Sequence, residues 1–363
     1  PKSHLDVTIK SAVMTPVLAA LARSTRNATA RNKTFARSLY SMVDSHAILG
    51  HESVIRHLES DLAHDNISHA YLFTGPPHIG KSTVARWFAS QLLCRGMSND
   101  EEKLRTTDAM TRLIHPDFLS LDALWVEDSQ EDWADIARSS NIDQSHRSKT
   151  PKARSDTISI DEIRAIHERL AEKASSGHVC CFLRSIDRMQ PPAASALLKI
   201  LEEPPPSVVF LLTAERQSEL LPTIISRARV LALHPLPAST LSTLLSRADP
   251  EDRDLLFRLS QGAPGRLLRL LEHPELLRAE KLLSSLARQF WQTMTLSERM
   301  RWLSDNFKDH ATQDQVLLHL ALALRAERGA HSPRAVSAFT DFVSALKTNA
   351  HRSLVLQRFA LAL

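Results

Sequence analysis

The chain has 363 residues, 43% of them hydrophobic and 24% charged, which is enough for two or three separately cored domains. No window approaches the roughly 18 consecutive apolar residues that span a bilayer, and the amino-terminal stretch lacks an apolar core followed by a small-residue cleavage site. No membrane partner and a cytoplasmic location are therefore expected. The three cysteines, Cys94, Cys180 and Cys181, include no C-x-x-C pair, so neither a disulfide framework nor a zinc site is expected, and the adjacent two read as positions in a buried strand.

The sequence pI near 9.1 suggests a nucleic-acid binder until the charge is located. Residues 1–41 hold seven Lys and Arg against one acid, Asp6, a surplus of six where the whole chain carries +4. The remainder is therefore net acidic by about two charges, and any contact with DNA is expected to be local or made through partners. This first segment is rich in Ser, Thr, Arg and Ala with weak periodicity. It reads as a disordered basic extension, with translation expected to begin at Met42, the alternative being a basic DNA-binding arm.

A clear pattern starts at "SMVDSHAILGHESVIRHLESDLAHDNISHAYLFTG". From Ala70 short apolar strands alternate with helical periodicity: strands are expected at 71–74, 118–121, 179–183, 208–213 and 229–233, and helices at 83–94, 160–173 and 192–202. That alternation implies a parallel sheet covered by helices on both faces. The polar stretch at about 127–157 reads as a surface insertion. Beyond Pro237 no strand signal remains. Residues 237–280 read as a small helical lid and 281–363 as an all-α collar of four or five amphipathic helices, with Ser297 and Asn349 as N-caps. The core proper spans 42–236.

One motif carries chemistry. Gly75, Pro76, Pro77, His78, Ile79, Gly80, Lys81 and Ser82, followed by Thr83, match G-x-x-x-x-G-K-[ST] between an apolar strand and a helix. In such a loop backbone N–H groups cradle phosphates, the lysine reaches the β and γ phosphates, and the hydroxyl, here Ser82, ligates Mg²⁺. ATP or ADP with Mg²⁺ is the expected ligand. Hydrolysis further requires a carboxylate at the end of a neighbouring strand to hold the metal and an acid to polarise water. The strand that should provide them, "VCCFLRSIDRM", ends in Arg184 and Ser185. A guanidinium offsets phosphate charge but neither binds a cation nor accepts a proton. Asp187 follows, and is expected to lie beyond the strand end, aimed elsewhere, as a helix or turn cap.

Six segments together resemble the bacterial clamp-loader AAA+ proteins of DNA polymerase III: "HAYLFTGPPHIGKST" (69–83), "HPDF" (115–118), "ISIDEIRAI" (158–166), "DRMQPPAASALLKILEEPPP" (187–206), "LLPTIISRAR" (220–229) and "GAPGRLLRLLE" (262–272). The delta-prime branch is nearer than gamma/tau. The resemblance implies a heteropentameric ring with gamma/tau and delta subunits that opens a sliding clamp and places it on primer-template DNA. It also implies an AAA+ core with lid and collar. Within it Arg227 of Ser226-Arg227-Ala228 corresponds to an arginine finger acting on a neighbour's nucleotide, and Arg266 to the lid arginine that senses nucleotide in its own subunit. The family's four-cysteine zinc module is reduced to Cys94, and Arg184 and Ser185 replace the acidic pair of its ATPase members. Intrinsic ATPase activity is accordingly expected to be absent or very weak. Two other readings stay open: a self-sufficient gamma/tau-like ATPase, which needs an acid from outside the degenerate strand, and a non-catalytic binding module for another replication or repair partner.

Overall fold

The computed structural model describes residues 48–122, 157–170, 177–307, 310–326, 333–346, 348 and 350–363. The expected extension, the start at Met42, nearly all of the 127–157 insertion and the cap at Asn349 lie outside them. The described residues divide into two compact units, one ending at Arg269 and the other beginning at Leu270.

The first unit opens with helix α1 (Glu52–Ala63), strand β1 (Ala70–Thr74), α2 (Lys81–Leu93), α3 (Asp100–Thr111) and β2 (Phe118–Asp122). It continues with α4 (Ile160–Leu170), β3 (Val179–Arg184), α5 (Pro191–Glu202), β4 (Val208–Ala214), the single-turn α6 (Pro222–Ile225) and β5 (Arg229–Ala232). The five strands form one sheet in the order β2-β3-β4-β1-β5, and every pairing is parallel, with Tyr71 opposite Leu211 and Arg229, and Cys181 opposite Phe210. The expected parallel α/β core is present, with each strand boundary displaced by no more than a residue. Burial on both faces explains the unbroken apolar runs.

Side-chain alternation sorts those runs into two cores. Tyr71, Phe73, Phe118, Cys180, Phe182 and Leu211 pack with α1 and α2 on one face, while Leu72, Leu119, Cys181, Leu183, Phe210 and Leu212 pack with α4 and α5 on the other. Cys180 and Cys181 thus point to opposite sides of the sheet, and burial pushes both thiols well above their ordinary pKa. Reactive or metal-binding thiolates are excluded there. At the sheet edge the buried Asp61 of α1 accepts from the Tyr71 hydroxyl at 3.0 Å and from Arg229 at 2.5 Å, joining the first helix to β1 and β5.

Helix α3 has no counterpart in the periodicity reading because only Thr106 and Met110 of its residues are buried. Its start is nevertheless written locally: the Asn99 side chain accepts from the Glu101 amide and three acids fill the first turn, both favourable at a helix N-terminus. After β5 come α7 (Ala238–Leu245), α8 (Arg253–Ser260) and α9 (Pro264–Glu272). The turn before α9 lies tightly on the end of the core: the Leu236 amide donates to the Gly262 carbonyl at 2.9 Å, and a Cβ on Gly262, at φ 77°, would stand 2.7 Å from the Leu236 oxygen.

The second unit is a bundle of α10 (Pro274–Gln292), α11 (Leu296–Asn306), α12 (His310–Ala326), α13 (Pro333–Leu346) and α14 (Arg352–Ala362). Its core is aromatic: Phe290 meets Trp302 at 5.3 Å, Trp291 at 5.4 Å and Phe359 at 5.9 Å, and Phe342 stacks on Phe359 at 4.1 Å. Helix α11 is capped by Thr295 rather than the expected Ser297. Thr295 and Glu298 form a reciprocal capping box, and its Thr-x-x-Glu spacing identifies the first residue of the pair as the cap.

Candidate phosphate site and the arginine edge

The phosphate loop runs from the end of β1 into α2, at the carboxyl edge of the sheet where ligands of open parallel sheets bind. Gly75 and Gly80 have φ of 146° and 111°, and His78 between them has φ 59°, a region costly for a residue with a Cβ. Gly75 is required twice over, because a Cβ there would lie 2.4 Å from the Leu233 carbonyl oxygen. Ile79 is fully buried and its carbonyl accepts from His51 Nε2 at 3.0 Å, so the loop is held from behind. The burial of His51 pushes its pKa down; the Ile79 hydrogen bond and Glu52 oppose that, and His234 adds to it.

Lys81 Nζ donates to the carbonyls of Gly75 at 2.5 Å and Pro76 at 2.8 Å, so the ammonium lies folded over the loop that would hold phosphate. Its pKa is lowered by burial, raised by the nearby carboxylates of Glu215 and Asp187, and lowered again by Arg184. Ser82 and Thr83 are half-buried in the first turn of α2, beneath the backbone amides that such a helix start offers an anion.

The lid end closes on this loop. The Gly265 amide, in the first turn of α9, donates to the His78 carbonyl at 3.0 Å, which brings Arg266 and Arg269 to the loop. Burial, followed by Arg269, Arg266, Lys81 and Arg184, pushes the His78 imidazole down to about 4. His78 keeps an exposed surface, where water weakens both the burial and the pull of the four cations. The loop, the lid start and the end of β3 therefore meet at one place.

At the end of β3, Arg184 stands opposite Asp122 of β2 in the strand register. Ser185 follows in the left-handed region at φ 54°, its amide donating to Thr213 Oγ at 3.0 Å. Asp187 lies beyond the strand end, as expected, but not as a cap. It sits in the short 3₁₀ turn Ile186–Arg188, its Oδ1 is buried without a hydrogen bond, and its charge acts on Lys81. It is no turn cap, since Ser185 holds the N-cap position of that turn and no side chain caps it, and the carboxylate stands close enough to the loop to act on its lysine. Glu215, the first residue after β4, was not singled out by the sequence. The signal available was its position, an acid directly following an all-apolar strand at the ligand edge.

Arg227 lies away from these groups, after α6. Its guanidinium pairs with Glu202 at the end of α5, N to O 2.7 Å, and donates to the Thr223 carbonyl at 3.0 Å and Ser226 Oγ at 3.3 Å. About a third of its side chain is open to solvent, 34%.

A DNA polymerase III subunit delta' of Pseudomonas aeruginosa is 30% identical over 205 residues, 54% of either chain, and that of Escherichia coli is 28% identical over 225 residues, 60% of this chain and 59% of the relative. The chain thus spans about half the length of these relatives. A gamma subunit-related DNA polymerase III protein of Thermotoga maritima aligns over 84% of this chain and 97% of its own, at 19% identity and a TM-score of 0.44. Residues 50–237, from the start of α1 to the end of the sheet-bearing core, match the family model described as DNA polymerase III, delta subunit, and the chain belongs to that family.

Proposed function

We propose that this chain is a delta-prime-like subunit of a replicative clamp loader, one that keeps a nucleotide pocket without hydrolysing and contributes Arg227 to the pocket of a neighbouring ATPase subunit. The reading takes the chain as a core over 42–236, a lid over 237–280 and a collar over 281–363, the collar joining gamma/tau and delta subunits in a ring that places a sliding clamp on primed DNA. The observation that carries it is Arg184 at the end of β3, where a working site needs a metal-binding carboxylate. Relatives named as delta' subunits of DNA polymerase III support the assignment. So does the partly exposed, edge-mounted Arg227, a planar, permanently charged donor suited to two phosphate oxygens at once.

The test is a reconstituted complex carrying Arg227→Ala. Arginine fingers in trans give about 10³- to 10⁵-fold in other phosphoryl-transfer systems, and one finger among several in a ring gives less. The substituted complex should assemble yet lose most DNA- and clamp-stimulated ATPase, with partial recovery in Arg227→Lys. An unchanged rate would remove the trans role. A second reading, a self-sufficient gamma/tau-like ATPase, is favoured by one observation: Asp187 and Glu215 both act on Lys81 and are acids from outside the degenerate strand end. In that case the isolated chain would turn over ATP and Glu215→Gln or Asp187→Asn would abolish it.

A further inference from the structure

Sites of this type hold Mg²⁺ on a strand-end carboxylate together with the loop hydroxyl and the phosphates. The residues here do not fit that ion. Ser82 retains the hydroxyl, but the strand-end position is Arg184, and among the described residues no group of three or more His, Cys, Asp or Glu could hold a metal. The charge balance points the same way. Lys81 and Arg184 come from the core, while Arg266 and Arg269 are brought in by the lid start that hydrogen-bonds His78. Against these four cations stand the carboxylates of Asp187 and Glu215, which act on Lys81, and that of Asp122, in register with Arg184. A divalent cation entering at the strand end would meet the guanidinium of Arg184, a permanent charge of its own sign, where phosphate oxygens would meet an opposite one.

We infer that this pocket takes a nucleoside di- or triphosphate as the bare polyanion, with Arg184 supplying the positive charge that a divalent cation supplies in hydrolysing relatives of the fold. The inference rests on the nucleotide-binding reading above and specifies its ligand. It accounts for two features together: an intact phosphate loop, and a strand end that repels the metal which hydrolysis needs. Lys81, now bonded to the Gly75 and Pro76 carbonyls, would turn from its own loop to the bound phosphates.

The experiment is calorimetric titration of the purified full chain with ADP and with ATP, in Mg²⁺ and in EDTA. Binding in EDTA should be as tight as in Mg²⁺, within about twofold. Arg184→Asp, which restores a carboxylate at the strand end, should make binding metal-dependent by roughly tenfold or more, about 1.4 kcal/mol, in a protein whose circular dichroism and melting are those of a folded chain. Binding by the unmodified chain that is roughly tenfold tighter in Mg²⁺ overturns the inference and leaves the nucleotide reading standing, and it does so whether or not Arg184→Asp folds. Absence of binding in both conditions ends both.

Discussion

Replacing Gly265 by alanine separates the lid's contact with the phosphate loop from the stability of the fold. A Cβ at that position would stand 2.9 Å from the His78 carbonyl oxygen, the same atom that accepts the Gly265 amide at 3.0 Å. That oxygen belongs to a backbone already at φ 59° and has little freedom to retreat, so the hydrogen bond lengthens or breaks, a loss of about 0.5–1.5 kcal/mol. Alanine in place of glycine favours the helix by up to about 1 kcal/mol, less in a first turn, so the two effects nearly cancel in global stability. They do not cancel at the site, because Arg266 and Arg269 move away from the loop with the start of α9. Losing one charge-assisted contact to phosphate weakens binding by about 1.5–3 kcal/mol, tenfold or more. Titration with ADP beside a thermal melt reads both quantities. A tenfold weaker affinity with an unchanged melting temperature is the expected result; an unchanged affinity would show that the lid arginines play no part in the pocket.

Two further outcomes follow from the packing. Phe290→Ala removes a fully buried ring in contact with Trp291, Trp302 and Phe359 and should cost the helical bundle about 3–5 kcal/mol; urea unfolding followed by tryptophan fluorescence checks it, and a loss below about 1 kcal/mol would contradict the packing. His51, buried with its pKa below the ordinary 6.5, binds a proton more readily when unfolded, so its contribution to stability is constant at higher pH and declines as pH falls through that value. His51→Gln keeps a donor for the Ile79 carbonyl and removes the titration, and urea midpoints from about pH 5 to 7 should vary less in this variant than in the parent.

The parts legible in the sequence are those in which neighbours along the chain decide the outcome. Apolar runs bounded by turns located all five strands, and the glycine–lysine spacing located the phosphate loop, because period and spacing are local properties. The parts that were not legible depend on what lies across the sheet. Nothing local to Asp187 shows that its charge acts on Lys81, which follows β1 on the far side of β4. Nothing near Glu202 shows that it meets Arg227 25 residues later, or near His51 that it holds the carbonyl of Ile79. Helix α3 was missed for a different reason: a helix that buries two residues leaves almost no periodic signal, and only its Asn99 cap and acidic first turn mark it.

Steady-state ATP hydrolysis by the purified full-length chain alone, with Mg²⁺ present and Lys81→Ala as the control, tests the central claim most directly. Loss of a general base costs about 10²- to 10⁴-fold, and loss of the metal carboxylate at Arg184 adds to it. The account predicts turnover indistinguishable from that of Lys81→Ala. Turnover near the 1 s⁻¹ or more typical of active enzymes, abolished by Lys81→Ala, would contradict it and pass the catalytic role to Asp187 and Glu215.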